Sequence, residues 1–314
     1  MIVTDILLFI LGAALVVFGA DWLVDGASAV ARRFGLSEYV IGATIVGIGT
    51  SMPEFVVSSI AAFQGNADIA IGNVSGSNIF NTLPILGITA LILPLSFTRS
   101  NVRTDLPMNL GVSAALLLMA IGGTVGRMEG GILMIGFIAY LIYNFKQGKE
   151  VQEEDESAKE MSVWKILLLL AAGFGGLIWG GNLFVEHATN IARYLKVSDA
   201  VIAITIMAGG TSLPELAVCV AAAAKGREQM AIGNIVGSNI SNILLIIGFS
   251  ALVTPLTVQS VNLVSIISVL ICAVLLLLSA FPLKTLKLTR LKGLIFILCY
   301  AAYIWLIIRN GAAA

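Results

Sequence analysis

Charge is scarce in this sequence. Only 11% of its 314 residues are Asp, Glu, Lys or Arg, against roughly 25% in a soluble domain, and the 18 basic and 18 acidic residues cancel. That leaves no stretch from which a soluble enzyme domain could be built, so no catalytic function and no cofactor is expected. No Lys/Arg patch interleaved with aromatics appears, which removes the footprint of nucleic-acid binding, and no feature points to a protein partner. Histidine occurs once, at His187, and cysteine three times, at Cys219, Cys272 and Cys299. The cysteines stand singly in apolar stretches without CxxC spacing or a neighbouring histidine, so they read as buried spacers. Residues 1–5 lack the basic start of a secretory leader and no A-x-A site follows, so the first apolar run is expected to be a retained helix.

What the chain has is apolar length. The runs 6–24, 110–123, 166–179, 261–278 and 294–308 are nearly uncharged, as spanning helices must be. Lipid offers the backbone no hydrogen bonds, so helices satisfy their own amides; the absence of alternating polar residues argues against a barrel. An all-α polytopic membrane protein is expected, with ten spans at about 5–31, 39–64, 67–95, 105–123, 128–146, 163–192, 200–225, 228–256, 260–281 and 287–309.

Shifting the chain by 161 residues aligns Ile41-Gly-Ala-Thr-Ile-Val-Gly-Ile-Gly-Thr-Ser-Met-Pro-Glu54 with Ile202-Ala-Ile-Thr-Ile-Met-Ala-Gly-Gly-Thr-Ser-Leu-Pro-Glu215. The same offset aligns Ala70-Ile-Gly-Asn-Val-Ser-Gly-Ser-Asn-Ile-Phe-Asn81 with Ala231-Ile-Gly-Asn-Ile-Val-Gly-Ser-Asn-Ile-Ser-Asn242, and Gly19, Arg32 and Pro94 with Gly180, Arg193 and Pro255. A gapless match over about seventy-five residues is a true internal repeat. Each copy holds five spans, so the second begins on the opposite side of the membrane: two inverted five-helix repeats. The expected organisation is a first repeat over 1–146, an acidic linker over 147–161 and a second repeat over 162–314. Loops after the odd-numbered spans carry fourteen Lys and Arg; the other side has four, Arg127, Arg193, Lys196 and Arg309. The positive-inside rule then predicts a plasma-membrane protein with both termini outside and the linker cytoplasmic. The linker lacks the spacing of a calcium-binding loop and reads as a solvated connector.

Two acids stand alone inside the spans. Glu54 and Glu215 occupy matching positions in spans 2 and 7, where an unpaired carboxylate is costly unless it meets an ion, a partner or a cavity. Each closes a Gly/Thr/Ser/Pro run, Gly47 to Pro53 or Ala208 to Pro214, in which glycine loosens the helix and proline removes a donor. Backbone carbonyls freed at such a break can serve a cation. In spans 3 and 8, Asn73, Ser77 and Asn81, and again Asn234, Ser238 and Asn242, fall at i, i+4 and i+8 on one helical face. Of these, Ser77, Asn81, Ser238 and Asn242 are expected to face the ions; for Asn73, Asn78, Asn234 and Asn239 a helix-gluing role weighs equally. Gly72 and Gly76, with Gly233 and Gly237, are expected to let backbones approach. Carboxylates, hydroxyls and amide oxygens are hard donors that suit calcium and sodium, and two ionised glutamates neutralise one divalent ion. His187 has no counterpart in the repeat and reads as a surface or interfacial residue. Asp21, Asp25 and Glu186, near span ends, read as interfacial or as part of an ion entry path.

The doubled Gly-Thr-Ser-x-Pro-Glu and Gly-Asn-x-x-Gly-Ser-Asn motifs resemble the paired α-repeats of the calcium/cation antiporter superfamily, and the sodium/calcium exchanger branch is the most similar. The resemblance covers nearly the whole chain. It implies ten helices, alternating access with spans 1 and 6 moving against the rest, and exchange of several sodium ions for one calcium. Residue by residue it implies calcium ligands at Glu54 and Glu215, the carbonyls of Gly47 and Ala208, and Thr50 or Thr211. Ser51, Ser77, Asn81, Ser212, Ser238 and Asn242 match the remaining sodium-lining positions. Several relatives, potassium-dependent exchangers among them, have Asp where this chain has Asn242, which argues against potassium co-transport. Calcium/proton exchange by the same fold, and a passive cation channel, are the competing readings.

Overall fold

The computed structural model describes residues 2–147, 161–197, 208–281 and 286–311. Linker residues 148–160, the first part of span 7 at 200–207, and Lys149, Lys159 and Lys284 of the charge count lie outside the described residues.

Helix occupies all ten predicted positions. In chain order these are α1 (Ile2–Phe34), α2 (Glu38–Thr50) with α3 (Met52–Phe63), α4 (Ala67–Ile92), α5 (Leu106–Ala120), α6 (Arg127–Gln147), α7 (Val163–Tyr194), α8 (Leu213–Ala224), α9 (Glu228–Val253), α10 (Ser260–Ser279) and α11 (Arg290–Gly311). Seven of them are individually long and apolar enough to cross a membrane, and α2 with α3 forms one span bent by 48°. The remaining two are shorter: α5 extends the wide turn Asn101–Asp105, and α8 follows the single turn Ala208–Gly210. Local signals explain several boundaries. The hydroxyls of Ser37 and Ser162 accept from the amides of Val40 and Lys165 at the starts of α2 and α7, as N-caps do. Gly65 and Gly226, paired by the repeat offset, follow α3 and α8 at φ +75° and +71°, a left-handed exit that favours glycine.

The centre of the bundle is α4 and α9, whose most apolar stretches are 72% and 83% buried; in α11 the figure is 11%. The exposed side chains of α1, α7 and α11 are largely apolar, among them Val17, Phe18, Trp164, Trp179, Leu298 and Trp305, as a lipid-facing surface requires. Helices α1 and α7, the first of each repeat, pack backbone to backbone. A Cβ on Gly19 would lie 2.8 Å from the Leu177 amide nitrogen, and one on Gly173 would lie 2.8 Å from that of Leu23, so small residues are what permit the contact. Gly233 and Gly237 serve α9 in the same way against Tyr39 and Ala43 of α2. The positions that the repeat matches to those two, 200 and 204, lie outside the described residues.

Two short antiparallel ladders tie the repeats together. β1 (Leu95–Ser96) pairs with β4 (Lys287–Leu288), and β2 (Thr124–Val125) pairs with β3 (Leu256–Thr257). Helix α5 runs from β1 to β2 and α10 from β3 to β4, so the ladders close opposite ends of the bundle. Each joins a segment of one repeat to a segment of the other, the arrangement that inverted repeats produce.

Candidate cation site

The second span breaks at Ser51. Pro53 lacks an amide hydrogen and sits in the first turn of α3, while Ser51 leaves helical geometry at φ −82°, ψ 7°. Its repeat equivalent, Ser212, adopts φ −90°, ψ 9° ahead of Pro214. Two breaks with one sequence have one geometry. Each places a glutamate, Glu54 or Glu215, in the first turn of the following helix, where the exposed amides and the helix dipole favour negative charge.

Both glutamates are fully buried, and none of the ion pairs found among the described residues reaches them. Their hydrogen bonds from the serines at the breaks cross between the repeats. Ser51 Oγ donates to Glu215 Oε1 at 3.0 Å, and Ser212 Oγ donates to Glu54 Oε1 at 3.2 Å. Ser77 Oγ adds a second bond to Glu54 Oε1 at 3.2 Å, and the half-buried Thr211 lies beside the same carboxylate. The other oxygen of each glutamate, Oε2, is buried with no hydrogen-bond partner, as are the Oδ1 atoms of Asn81 and Asn242. Unpartnered buried acceptors are costly. Other buried oxygens also lack partners, among them those of Ser28, Ser75 and Asn109, but among the described residues only these four form pairs related by the repeat.

The remaining predicted residues divide. Thr50, Ser51, Ser77, Asn81, Ser212, Ser238 and Asn242 are all buried: Thr50, Ser51 and Ser212 at the two breaks, Ser77 and Asn81 on α4, and Ser238 and Asn242 on α9. Ser238, however, donates to the Gly47 carbonyl at 3.0 Å, not to Glu215. That carbonyl also accepts from Thr50 Oγ1 at 3.3 Å and from the Ser51 amide at 3.2 Å, so the break does not leave it bare. Thr50 Oγ1 donates as well to Asn234 Oδ1 at 3.1 Å. Ala208 opens the turn Ala208–Gly210 that precedes Thr211. Asn73 and Asn234 are taken up by the backbone: their amides donate to the carbonyls of Glu54 and Glu215 at 3.2 and 3.4 Å. The same amides reach Ser58 Oγ and Cys219 Sγ, which the repeat offset also pairs, so Cys219 fills a serine position in a repeated contact. At Asn81 and Asn242 the helices open into wide turns, Asn81–Ile85 and Asn242–Ile247, a form common at functional sites; Pro84, which has no amide hydrogen, accounts for the first.

Three groups lie apart from this centre. His187 is buried, not at the surface, with Nδ1 2.8 Å from Asp5 Oδ1 between α7 and α1. Asp21 and Asp25 hold Lys225 at 2.7 Å each. A cavity of about 360 Å³ lies near the starts of α2 and α5, lined by Ser37, Tyr39, Asn101 and Asp105 among others, and includes none of the predicted site residues.

Comparison with known proteins decides the family. The family model described as "Sodium/calcium exchanger protein" matches residues 4–146 and 165–309, nearly the whole of both repeats. The chain belongs to the sodium/calcium exchanger family. Among its relatives, the sodium/calcium exchanger MaX1 of Methanosarcina acetivorans is 31% identical over 346 residues, covering 97% of this chain and 98% of that protein. A membrane protein of Methanocaldococcus jannaschii is 37% identical over 300 residues, covering 96% and 97%. The structure of the sodium-calcium exchanger NCX_Mj, soaked with zero Na+ and Ca2+, superposes with a TM-score of 0.86 at 35% identity, covering 98% of this chain and 100% of that one. This exchanger-family chain is therefore an integral membrane antiporter of calcium and another cation, and not an enzyme. Its ten transmembrane helices form two inverted five-helix repeats.

Proposed function

We propose that this exchanger couples calcium movement to sodium by alternating access at the centre formed by the two broken helices. The observation that carries the reading is the set of four bare, buried oxygens: Glu54 Oε2, Glu215 Oε2, Asn81 Oδ1 and Asn242 Oδ1, in two repeat-related pairs. Two carboxylates supply the charge a divalent ion needs, and hydroxyls and amide oxygens complete a hard-donor shell. Thr50, Thr211, Ser51, Ser212, Ser77 and Ser238, with the carbonyls of Gly47 and Ala208, are the remaining proposed contacts for calcium or sodium. Hydroxyl oxygens coordinate an alkali ion and are unnecessary for carrying a proton, which supports sodium as the counter-ion. Sodium and calcium compete for this one centre, and its occupancy permits the closely packed pair α1 and α7 to move against the other helices.

The same reading takes 1–146 and 162–314 as the functional halves joined by the linker 147–161. It sets the protein in the plasma membrane with both termini outside and the linker cytoplasmic, in line with the loop charges. The test uses proteoliposomes loaded with sodium and diluted into sodium-free calcium buffer, with and without a pH gradient. Calcium uptake that needs internal sodium and ignores the pH gradient is expected. Uptake driven by the pH gradient without sodium would assign the chain to proton exchange instead, and flux without any counter-ion gradient would assign it to a channel.

A further inference from the structure

We propose that Asn78, anchored on the backbone carbonyl of Asn239, is a positioning residue that decides which end of the Asn242 amide faces the ions. The inference rests on the cation-site reading above. A primary amide presents an oxygen that a cation accepts and an NH2 group that repels it. The two ends have almost the same shape, so packing alone does not choose between them.

Hydrogen bonding makes the choice here. Asn78 Nδ2 donates to the backbone carbonyl of Asn239 at 3.0 Å. A carbonyl only accepts, so Asn78 must turn its NH2 group there and its Oδ1 the other way. That Oδ1 receives Asn242 Nδ2 at 2.9 Å, and only a donor satisfies it. Asn242 is thereby obliged to point its NH2 group at Asn78, and its own Oδ1 is left buried and bare. Through Asn78 of the opposite repeat, the backbone carbonyl of Asn239 fixes the polarity of a proposed ligand on its own helix, α9.

The second half of the clasp is looser. Asn81 Nδ2 donates to Asn239 Oδ1 at 3.3 Å, and Asn239 Nδ2 donates to Thr82 Oγ1 at 2.9 Å. A hydroxyl accepts or donates equally well, so nothing of fixed polarity anchors this chain of bonds. Asn242 is held more strictly than Asn81. All four asparagines are nearly or fully buried, with none more than 2% exposed, so water does not compete for these bonds.

The test is the calcium affinity of the purified full chain in sodium-free buffer, measured by titration calorimetry, for Asn78→Ala in two backgrounds. With Asn242 present, the substitution frees that amide to turn its NH2 group inward, and calcium binds roughly tenfold more weakly. In an Asn242→Asp background both ends of the side chain are oxygen, orientation loses its meaning, and Asn78→Ala changes affinity by less than about twofold. An equal loss in both backgrounds would mean a packing role, and no loss in the first would mean no role; either overturns the proposal. Glu54→Gln, measured alongside, separates the two readings. If Glu54→Gln binds calcium normally, the site itself is wrong; if it loses calcium while Asn78→Ala binds normally, only the clasp is wrong. Should Asn78→Ala not yield a monodisperse protein, Asn78→Leu, close in volume and lacking both ends of the amide, is measured in the same two backgrounds, with the same outcomes supporting or overturning the proposal.

Discussion

The hydroxyl of Ser51, on the first repeat, donates to the carboxylate of Glu215, on the second. Each motif reads Ser-x-Pro-Glu, the spacing of a capping box, in which serine and glutamate of one helix would satisfy that helix's own first amides. Neither serine caps its own helix. Both reach across to the other glutamate, so the two breaks form one reciprocal unit. Ser51→Ala should therefore couple to Glu215→Gln and not to Glu54→Gln, with a coupling free energy of about 1 kcal/mol or more. A double-mutant cycle on thermal stability measures it, and coupling to Glu54 alone would contradict the crossed pairing.

Removing either carboxylate should stop transport. Glu54→Gln and Glu215→Gln keep the shape and burial of the side chain but halve the charge offered to a divalent ion, so calcium affinity should fall by on the order of 100-fold or more. Uptake into sodium-loaded proteoliposomes should drop to the empty-vesicle level, with folded, monodisperse protein confirmed by size exclusion. Wild-type uptake by both variants would remove the glutamates from the site.

Gly237 should not tolerate a side chain. A Cβ there would lie 2.3 Å from the Ala43 carbonyl oxygen and 2.4 Å from its Cα, and a backbone cannot step aside as a flexible side chain does. Gly237→Ala should cost about 1–3 kcal/mol, seen as a lower melting temperature in detergent, and an unchanged melting point would show that α2 and α9 separate freely.

Lys225 holds α8 to α1 through Asp21 and Asp25, and its repeat equivalent is the neutral Gln64. The contact is partly exposed, which limits its worth to about 0.5–1 kcal/mol. Lys225→Gln should speed amide exchange in α1 around Asp21 and Asp25, and 1 M salt should abolish the difference from wild type. Exchange equal to wild type at low salt would show that the pair restrains nothing.

Much of this was legible in the sequence because the repeat supplied an internal comparison. Apolar length located the ten spans, and the offset located the two breaks and the pairs Glu54/Glu215 and Asn81/Asn242, each signalled twice. What periodicity could not supply was direction. Asn73, Ser77 and Asn81 share a helical face, yet Asn73 turns to the Glu54 backbone while Asn81 is held by Asn239. The choice depends on acceptors from distant segments. The crossed serines were hidden for the same reason, since a capping-box spacing points to a bond within one helix. His187 lacked a repeat partner, and its burial follows from Asp5, 182 positions away. The ladders escaped notice because two-residue strands carry no alternation.

Those ladders also constrain the order of assembly. When the first five helices have been made, β1 and β2 exist but their partners do not, so each presents an unpaired strand edge. β2 finds β3 once the eighth span is complete, whereas Leu95 meets Leu288 only as the last hairpin arrives. The molecule therefore buttons shut at one end before the other. A half synthesised alone would keep both edges open and would seek its missing strands in another chain.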